Sequence, residues 1–149
     1  MKSVLFVCLG NICRSPMAEG AMRALADGAG VPLTVDSAAT GDWHSGDAPY
    51  PPAIRAAAVR GYDISSQRAR QVTAADFHRF DHVLAMDGDN LAHLLALRTG
   101  GTMPQLLLDH APETGRDTVP DPYFTGDFEQ ALDLIEAGTR GLLAAIRGT

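Results

Sequence analysis

The stretch Cys8-Leu9-Gly10-Asn11-Ile12-Cys13-Arg14-Ser15 places an arginine six positions after a cysteine, with a Gly-Asn pair between them. A thiolate and a guanidinium at that spacing suit chemistry on a phosphate ester. A tight loop leading into a helix turns several backbone N–H groups inward, and the helix dipole reinforces the anion site they form. Gly10 can adopt φ > 0 and Asn11 tolerates it better than most residues, so the turn is sterically open. Arg14 at the far rim presents a planar fork matched to two phosphate oxygens. Cys8 lies at the base of the cradle. A helix N-terminus and a neighbouring arginine are settings that favour the thiolate, the nucleophilic form of cysteine, and a Ser15 hydroxyl bond would help. The same donors would stabilise the equatorial oxygens of a five-coordinate phosphorus. A lone cysteine after an apolar run is most often a buried structural thiol. Here the Gly-Asn turn, Arg14 and the Ser15-Pro16 helix start coincide, and together they outweigh that reading.

A phosphate ester also needs a proton for its leaving oxygen. Asp121, in Asp121-Pro122-Tyr123-Phe124, is the candidate donor: Pro122 stiffens the chain beside the carboxylate, and two aromatics could wall a pocket for a flat substrate. The same four residues read equally well as a turn with surface aromatics. Asp109, Glu113 and Asp117 share the loop as rivals without aromatic neighbours. The histidines lack supporting Cys or carboxylate spacing: His78 and His82 fall in different elements, and His44 and His110 are alone in loops. No metal site is expected, and no cofactor. Asp87-Gly88-Asp89-Asn90 has the start of a calcium loop without its distant glutamate, and reads as a helix start.

These residues need a scaffold that brings loops together. Val4 to Leu9 is an apolar run suited to a strand buried on both faces. Ser15 as cap and Pro16 at the first helical position open a helix with Met17, Ala21, Met22 and Leu25 at helical spacing. Leu33-Thr34-Val35 reads as a second strand, and Pro51-Pro52 starts a helix that Gly61 stops. Thr73 caps a short helix containing Phe77. His82 to Met86 is a third strand, followed by a helix that Asp87 caps and a core stripe from Leu91 to Leu97. Gln105 to Leu108 is a fourth strand. A loop rich in Pro, Gly and Asp then runs to Gly126. The last helix starts near Asp127 with Phe128, Leu132, Ile135, Leu142 and Ile146 on one face, weakened by Gly138 and Gly141. Strands alternating with helices imply an α/β fold: a four-stranded parallel sheet flanked by helices on both faces, in one domain spanning residues 1–149. Ligands bind beyond the carboxyl ends of such strands, where Cys8, Ser37, Asp87 and the long loop fall.

The bulk numbers narrow the partners. With a formal net charge of -6 and a pI near 5.2, the 149-residue chain is acidic and its 12 basic residues are scattered. That argues against nucleic acid or anionic membranes, which require clustered Lys and Arg. Apolar runs are all shorter than the ~18 residues of a membrane span. Two cysteines, five positions apart, make no secreted disulfide framework. A cytoplasmic, monomeric protein is expected.

Cys8 to Ser15 with Pro16-Met17-Ala18-Glu19 resembles the signature loop of the low-molecular-weight protein tyrosine phosphatases. The resemblance continues through Asp36 to Thr40, Asp42-Trp43, Ala69-Arg70-Gln71, Met86-Asp87 with Asn90, and Asp121-Pro122-Tyr123, in order along nearly the whole chain. It implies a flavodoxin-like fold and a phosphatase acting on phosphotyrosine proteins or peptides and on aryl phosphates, with inorganic phosphate as product and inhibitor. Cys8 would attack phosphorus, Arg14 would hold phosphate, and Asp121 would protonate the phenol and later activate water. Leu9, Gly10, Asn11, Ile12, Cys13 and Ser15 would form the phosphate loop, supported by Ser37. Ile12, Trp43, Tyr123 and Phe124 would line the substrate cleft. Cys13 would trap oxidised Cys8 as a reversible disulfide, making the enzyme redox-sensitive. The chain departs from many relatives with Phe124 in place of a second tyrosine, and from some with Gln67 in place of a histidine. Arsenate reductases of this fold need cysteines after Cys13 that the chain lacks, and arginine phosphatases resemble it with threonine at the position of Ile12. A nucleotide-holding flavodoxin-like module is the alternative from another class, although it would have no use for Cys8 or Arg14.

Overall fold

Val4 to Val7 carry no polar side chain, and the computed structural model, which describes residues 1–148, buries all four completely. They form the middle of β1 (Lys2–Cys8), which pairs in parallel with β2 (Leu33–Ala39) on one side and β3 (His82–Ala85) on the other. β4 (Gln105–Leu106) joins β3, so the sheet order is β2-β1-β3-β4 and all strands are parallel. Alternation along β1 feeds two cores. Val4 and Phe6 pack with α1 (Arg14–Ala29), α2 (Pro51–Val59) and α6 (Phe128–Arg147). Leu5 and Val7 pack on the other face with Phe77 of α3 (Asp76–Arg79) and Leu94 of α4 (Gly88–Leu97). No helix among the described residues is long and apolar enough to cross a membrane.

Several elements differ from the sequence expectation. β2 runs on past Val35 to Ala39, because its parallel register with β1 continues to the Cys8–Ala39 pair despite the poor strand propensity of Ser37, Ala38 and Ala39. β4 is shorter: Leu107 and Leu108 turn into a 3₁₀ segment, Leu107–His110, while staying buried. α1 begins at Arg14 with Cys13 as its cap residue, so Ser15 lies inside the helix and its hydroxyl is used elsewhere. Thr73 does not cap α3; instead its N–H donates to the Asp76 carboxylate at 2.8 Å. The stripe on α4 is core at Leu94 only, since Leu91 and Leu97 are half-buried and Leu95 is exposed. Asp87 and Asp127 do cap their helices, accepting from the N–H of Asn90 and Gln130 at 2.8 and 2.9 Å.

The two glycines of α6 have a packing reason. A Cβ on Gly141 would stand 1.8 Å from the His110 carbonyl oxygen, and one on Gly138 would stand 2.6 Å from Leu107. Their bare backbone lets the 3₁₀ segment after β4 lie against the helix. This contact anchors the start of the long loop that carries Asp121. α5 (Pro122–Thr125) ends that loop, capped by the Asp121 side chain.

Candidate active site

The sheet order reverses direction at β1, and the loop leaving its carboxyl end is residues 9–13. Asn11 is the one non-glycine with positive φ, at 58°, among the described residues. A left-handed non-glycine costs about 1 kcal/mol or more and persists when its surroundings over-determine it. Here they do. The Asn11 amide nitrogen donates to Ser15 Oγ at 2.7 Å and Ser37 Oγ at 3.0 Å, and its oxygen accepts from the Arg70 backbone N–H at 3.2 Å.

The polarity of this network can be followed from one end. The Glu19 carboxylate accepts from Ser37 Oγ at 2.7 Å, and Arg23 braces its other oxygen at 2.8 and 3.1 Å. Burial pushes the Glu19 carboxyl up, and the bonds from Ser37 and Arg23 act against that rise. With its proton committed to Glu19, Ser37 accepts from Asn11. Ser15 Oγ accepts from Asn11 as well, so its own proton is free for Cys8 Sγ at 3.0 Å, with the Ala38 carbonyl at 3.5 Å the weaker alternative. The Ser15 N–H reaches the same sulfur at 3.4 Å. Both contacts to Cys8 are therefore donors, as a sulfur anion requires. Gln67 takes no part in the network: its amide donates to the Pro16 carbonyl at 3.1 Å. Glu19 and Arg70 supply the support.

Arg14 is 3% exposed, and both of its terminal nitrogens have partners. Nη1 donates to Asp87 Oδ2 at 2.7 Å and to the Val119 carbonyl at 3.0 Å, and Nη2 reaches Asp121 Oδ2 at 3.5 Å. Burial works against its charge, but Cys8, Asp87 and Asp121 more than offset it and hold the guanidinium protonated. Asp87 thus does two jobs, one oxygen capping α4 and the other orienting Arg14. Asp121 likewise uses one oxygen to cap α5, accepting from the Tyr123 N–H at 3.1 Å, and turns the other toward Arg14. Burial, then the nearby Cys8 charge, pushes the Cys13 thiol strongly up, so it is neutral.

A cavity of about 210 Å³ opens over this group. Cys8, Cys13, Arg14 and Asp121 contribute to its lining, with Leu9, Gly10, Ile12, Trp43, Tyr123 and Phe124 around them. Tyr123 packs on Tyr50 at 5.1 Å and edge-on to Phe124 at 5.2 Å, while Trp43 and Phe124 stand out at the mouth. The expected site residues therefore converge, with Asn11, Ser15 and Ser37 behind the lining. Asp109, Glu113 and Asp117 do not line the cavity. His44 does, although in the sequence it stands alone in a loop; its Nδ1 is 3.2 Å from Asp47 Oδ2. Its only signal was adjacency to Trp43. The arrangement can hold a tetrahedral anion against a sulfur nucleophile, with a carboxyl near the leaving group and rings for an aryl portion. No cluster of three His, Cys, Asp or Glu able to hold a metal occurs among the described residues.

Comparison with known proteins agrees with the geometry. A family model described as low molecular weight phosphotyrosine protein phosphatase matches residues 3–149. The chain is 41% identical to the low molecular weight protein-tyrosine-phosphatase YfkJ of Bacillus subtilis, over 99% of this chain and 97% of that protein. The crystal structure of YfkJ superposes with a TM-score of 0.95, covering 99% of this chain and 96% of that one. A low molecular weight protein-tyrosine-phosphatase of Streptomyces coelicolor is 42% identical over 97% of this chain and 93% of its own length. The structure of DARP, a Drosophila arginine phosphatase, is 32% identical with a TM-score of 0.90, covering 98% of each chain.

Proposed function

Because the chain belongs to the low molecular weight phosphotyrosine protein phosphatase family, we propose that it hydrolyses phosphotyrosine and other aryl phosphate monoesters through a cysteinyl-phosphate intermediate. The observation that carries this reading is Cys8 Sγ, held by two donors beside Arg14 and Asp121 in one cavity. In the first step Cys8 Sγ forms a bond to phosphorus as the P–O bond to the phenol breaks. The electron pair leaves on the phenolic oxygen, and Asp121 supplies its proton. In the second step Asp121 takes a proton from water, the water oxygen bonds to phosphorus, the S–P bond breaks, and the thiolate and inorganic phosphate separate. Arg14 and the loop N–H groups hold the phosphoryl oxygens throughout. Asp87 and the Asn11–Ser15–Ser37 network position these groups.

Phosphate release from a phosphotyrosine peptide in mildly acidic, metal-free solution tests the reading, with phosphoserine and phosphoarginine peptides alongside. Turnover of phosphotyrosine well above the other two is expected, since Ile12 and the rings favour a flat apolar group. Preferential turnover of phosphoarginine would overturn the aryl assignment. The working unit is a monomer of one domain, residues 1–149, in the cytoplasm, acting on tyrosine-phosphorylated proteins without a cofactor. Inorganic phosphate is both its product and an inhibitor.

Cys13 is the resolving thiol in this scheme. Hydrogen peroxide converts the Cys8 thiolate to a sulfenic acid. Cys13 sulfur then attacks that sulfur, forming the disulfide and releasing water. Oxidation removes the negative charge of Cys8, which is one cause of the raised Cys13 thiol. The expected result is that peroxide inactivates the wild type reversibly, that phosphate protects it, and that Cys13→Ala is recovered several-fold less well by a dithiol. Equal recovery of the two proteins would remove Cys13 from the scheme.

A further inference from the structure

Trp43 stands at the cavity mouth with 68% of its surface exposed, yet its indole is not free to point anywhere. A Cβ built on Gly41 would meet Trp43 Cζ3 at 1.9 Å, Cε3 at 2.2 Å and Cη2 at 2.6 Å. The six-membered ring therefore occupies the space that any other side chain at position 41 would fill. Gly41 is not among the chain's left-handed glycines, so backbone conformation does not account for it. What its missing Cβ provides is a seat for a ring.

That seat is fixed to the anion loop. The Gly41 N–H donates to the Leu9 carbonyl at 3.1 Å, and the Thr40 N–H donates to the Cys8 carbonyl at 2.9 Å. The backbone under the indole is thus hydrogen-bonded to the loop that starts at Cys8. An indole resting on it stands at a set distance from the sulfur. The neighbouring ring is seated in a milder way: His44 lies over Gly10, 3.2 Å from where a Cβ would be, with Asp47 at its Nδ1. Tyr123 and Phe124 face the cavity from α5.

We propose that Gly41 is a specificity-determining positioning residue: its bare backbone lets Trp43 fold back onto the loop and so sets the aryl-binding wall of the cleft. The inference rests on the phosphatase reading above and names how the site selects aryl esters. Since the ring atoms in the way are the far end of an exposed side chain, a substituent at 41 displaces the indole at little cost to the fold.

The test compares wild type, Gly41→Ala, Trp43→Ala and the double variant for kcat and KM on a phosphotyrosine peptide and for inhibition by inorganic phosphate. Losing one well-placed aromatic contact is expected to raise KM by about three- to tenfold. Gly41→Ala should match Trp43→Ala, the double variant should be no worse than either, and kcat and the inhibition constant of phosphate should stay at wild-type values. The chain has one tryptophan, so its fluorescence emission reports the indole directly and should shift in Gly41→Ala. Gly41→Ser adds the same Cβ and should behave alike. A wild-type emission spectrum together with a wild-type KM in Gly41→Ala would overturn the proposal. So would KM and the phosphate constant rising together, which would place the effect in the cysteine loop through Leu9. Failure of the wild type to turn over the peptide would be a failure of the phosphatase reading, while the emission spectrum would still decide whether Gly41 seats the indole.

Discussion

Replacing Cys8 by serine is expected to lower kcat on a phosphotyrosine peptide on the order of 10⁴-fold or more, while inorganic phosphate still binds. The reason lies in the polarity around the sulfur. A serine hydroxyl is a nucleophile only when a base takes its proton, and the two groups that contact Cys8 Sγ, the Ser15 hydroxyl and N–H, are both donors. Asn11 enforces this by giving its own N–H to Ser15 Oγ, and the chain of bonds runs back through Ser37 to Glu19. Nothing in contact with that sulfur is placed to take a proton from a hydroxyl in its place. In the proposed mechanism phosphate is held by Arg14 and the loop N–H groups, which the substitution leaves in place. Rapid-quench turnover together with calorimetric phosphate titration would measure both quantities. Activity within tenfold of wild type in Cys8→Ser would mean that another group attacks phosphorus.

The same network illustrates where sequence reading stops. Ser15-Pro16 carries the usual signals of a helix start, and a helix does start there. The hydroxyl is not spent on a cap because Cys8 and Asn11 claim it, and Asn11 is itself fixed by Ser37 and by the Arg70 backbone. Those partners are remote in sequence. Asp87 is a parallel case. Its cap on Asn90 is local and legible, whereas its hold on Arg14 spans 73 positions and depends on β1 and β3 ending side by side. The strands were readable where an apolar run had one possible fate, as in β1. Leu107 and Leu108 are buried whether they extend a strand or turn into a 3₁₀ segment, so apolar pattern alone could not end β4. Gly138 and Gly141 read locally as weak points of α6, and only the close approach of the His110 carbonyl gives them a purpose. Convergence of Cys8, Arg14 and Asp121 followed from a general property of parallel sheets, that loops at the carboxyl ends meet. Which neighbours brace those residues did not.

Asp121→Asn is expected to slow the first chemical step on a phosphotyrosine peptide by about 10²- to 10³-fold. The phenol of tyrosine has a pKa of ~10 and leaves poorly without a proton. An aryl phosphate whose phenol is already acidic needs little protonation, so its first step should be nearly unaffected. Asparagine keeps an oxygen that can accept from the Tyr123 N–H, and α5 should therefore stay capped. Steady-state rates alone would mislead, because in the proposed mechanism the second step uses Asp121 as a base for water whatever the leaving group. Stopped-flow measurement separates the two. With the acidic phenol, the variant should release a burst of about one equivalent of phenol and then slow, as phosphocysteine accumulates. With the peptide no burst should appear. An equal loss in the first step for both substrates would assign the proton to another acid. Asp87 is the nearest alternative among the carboxylates that contact Arg14, but its oxygens are both occupied, by Arg14 at 2.7 Å and the Asn90 N–H at 2.8 Å. It also does not line the cavity, whereas Asp121 does. A carboxyl that must hold a proton in one step and take one in the next needs an oxygen open to substrate and water. At Asp121, Oδ1 is used by the cap and Oδ2 has only the 3.5 Å contact to Arg14. In the proposed mechanism that loosely held oxygen is the one that would exchange the proton.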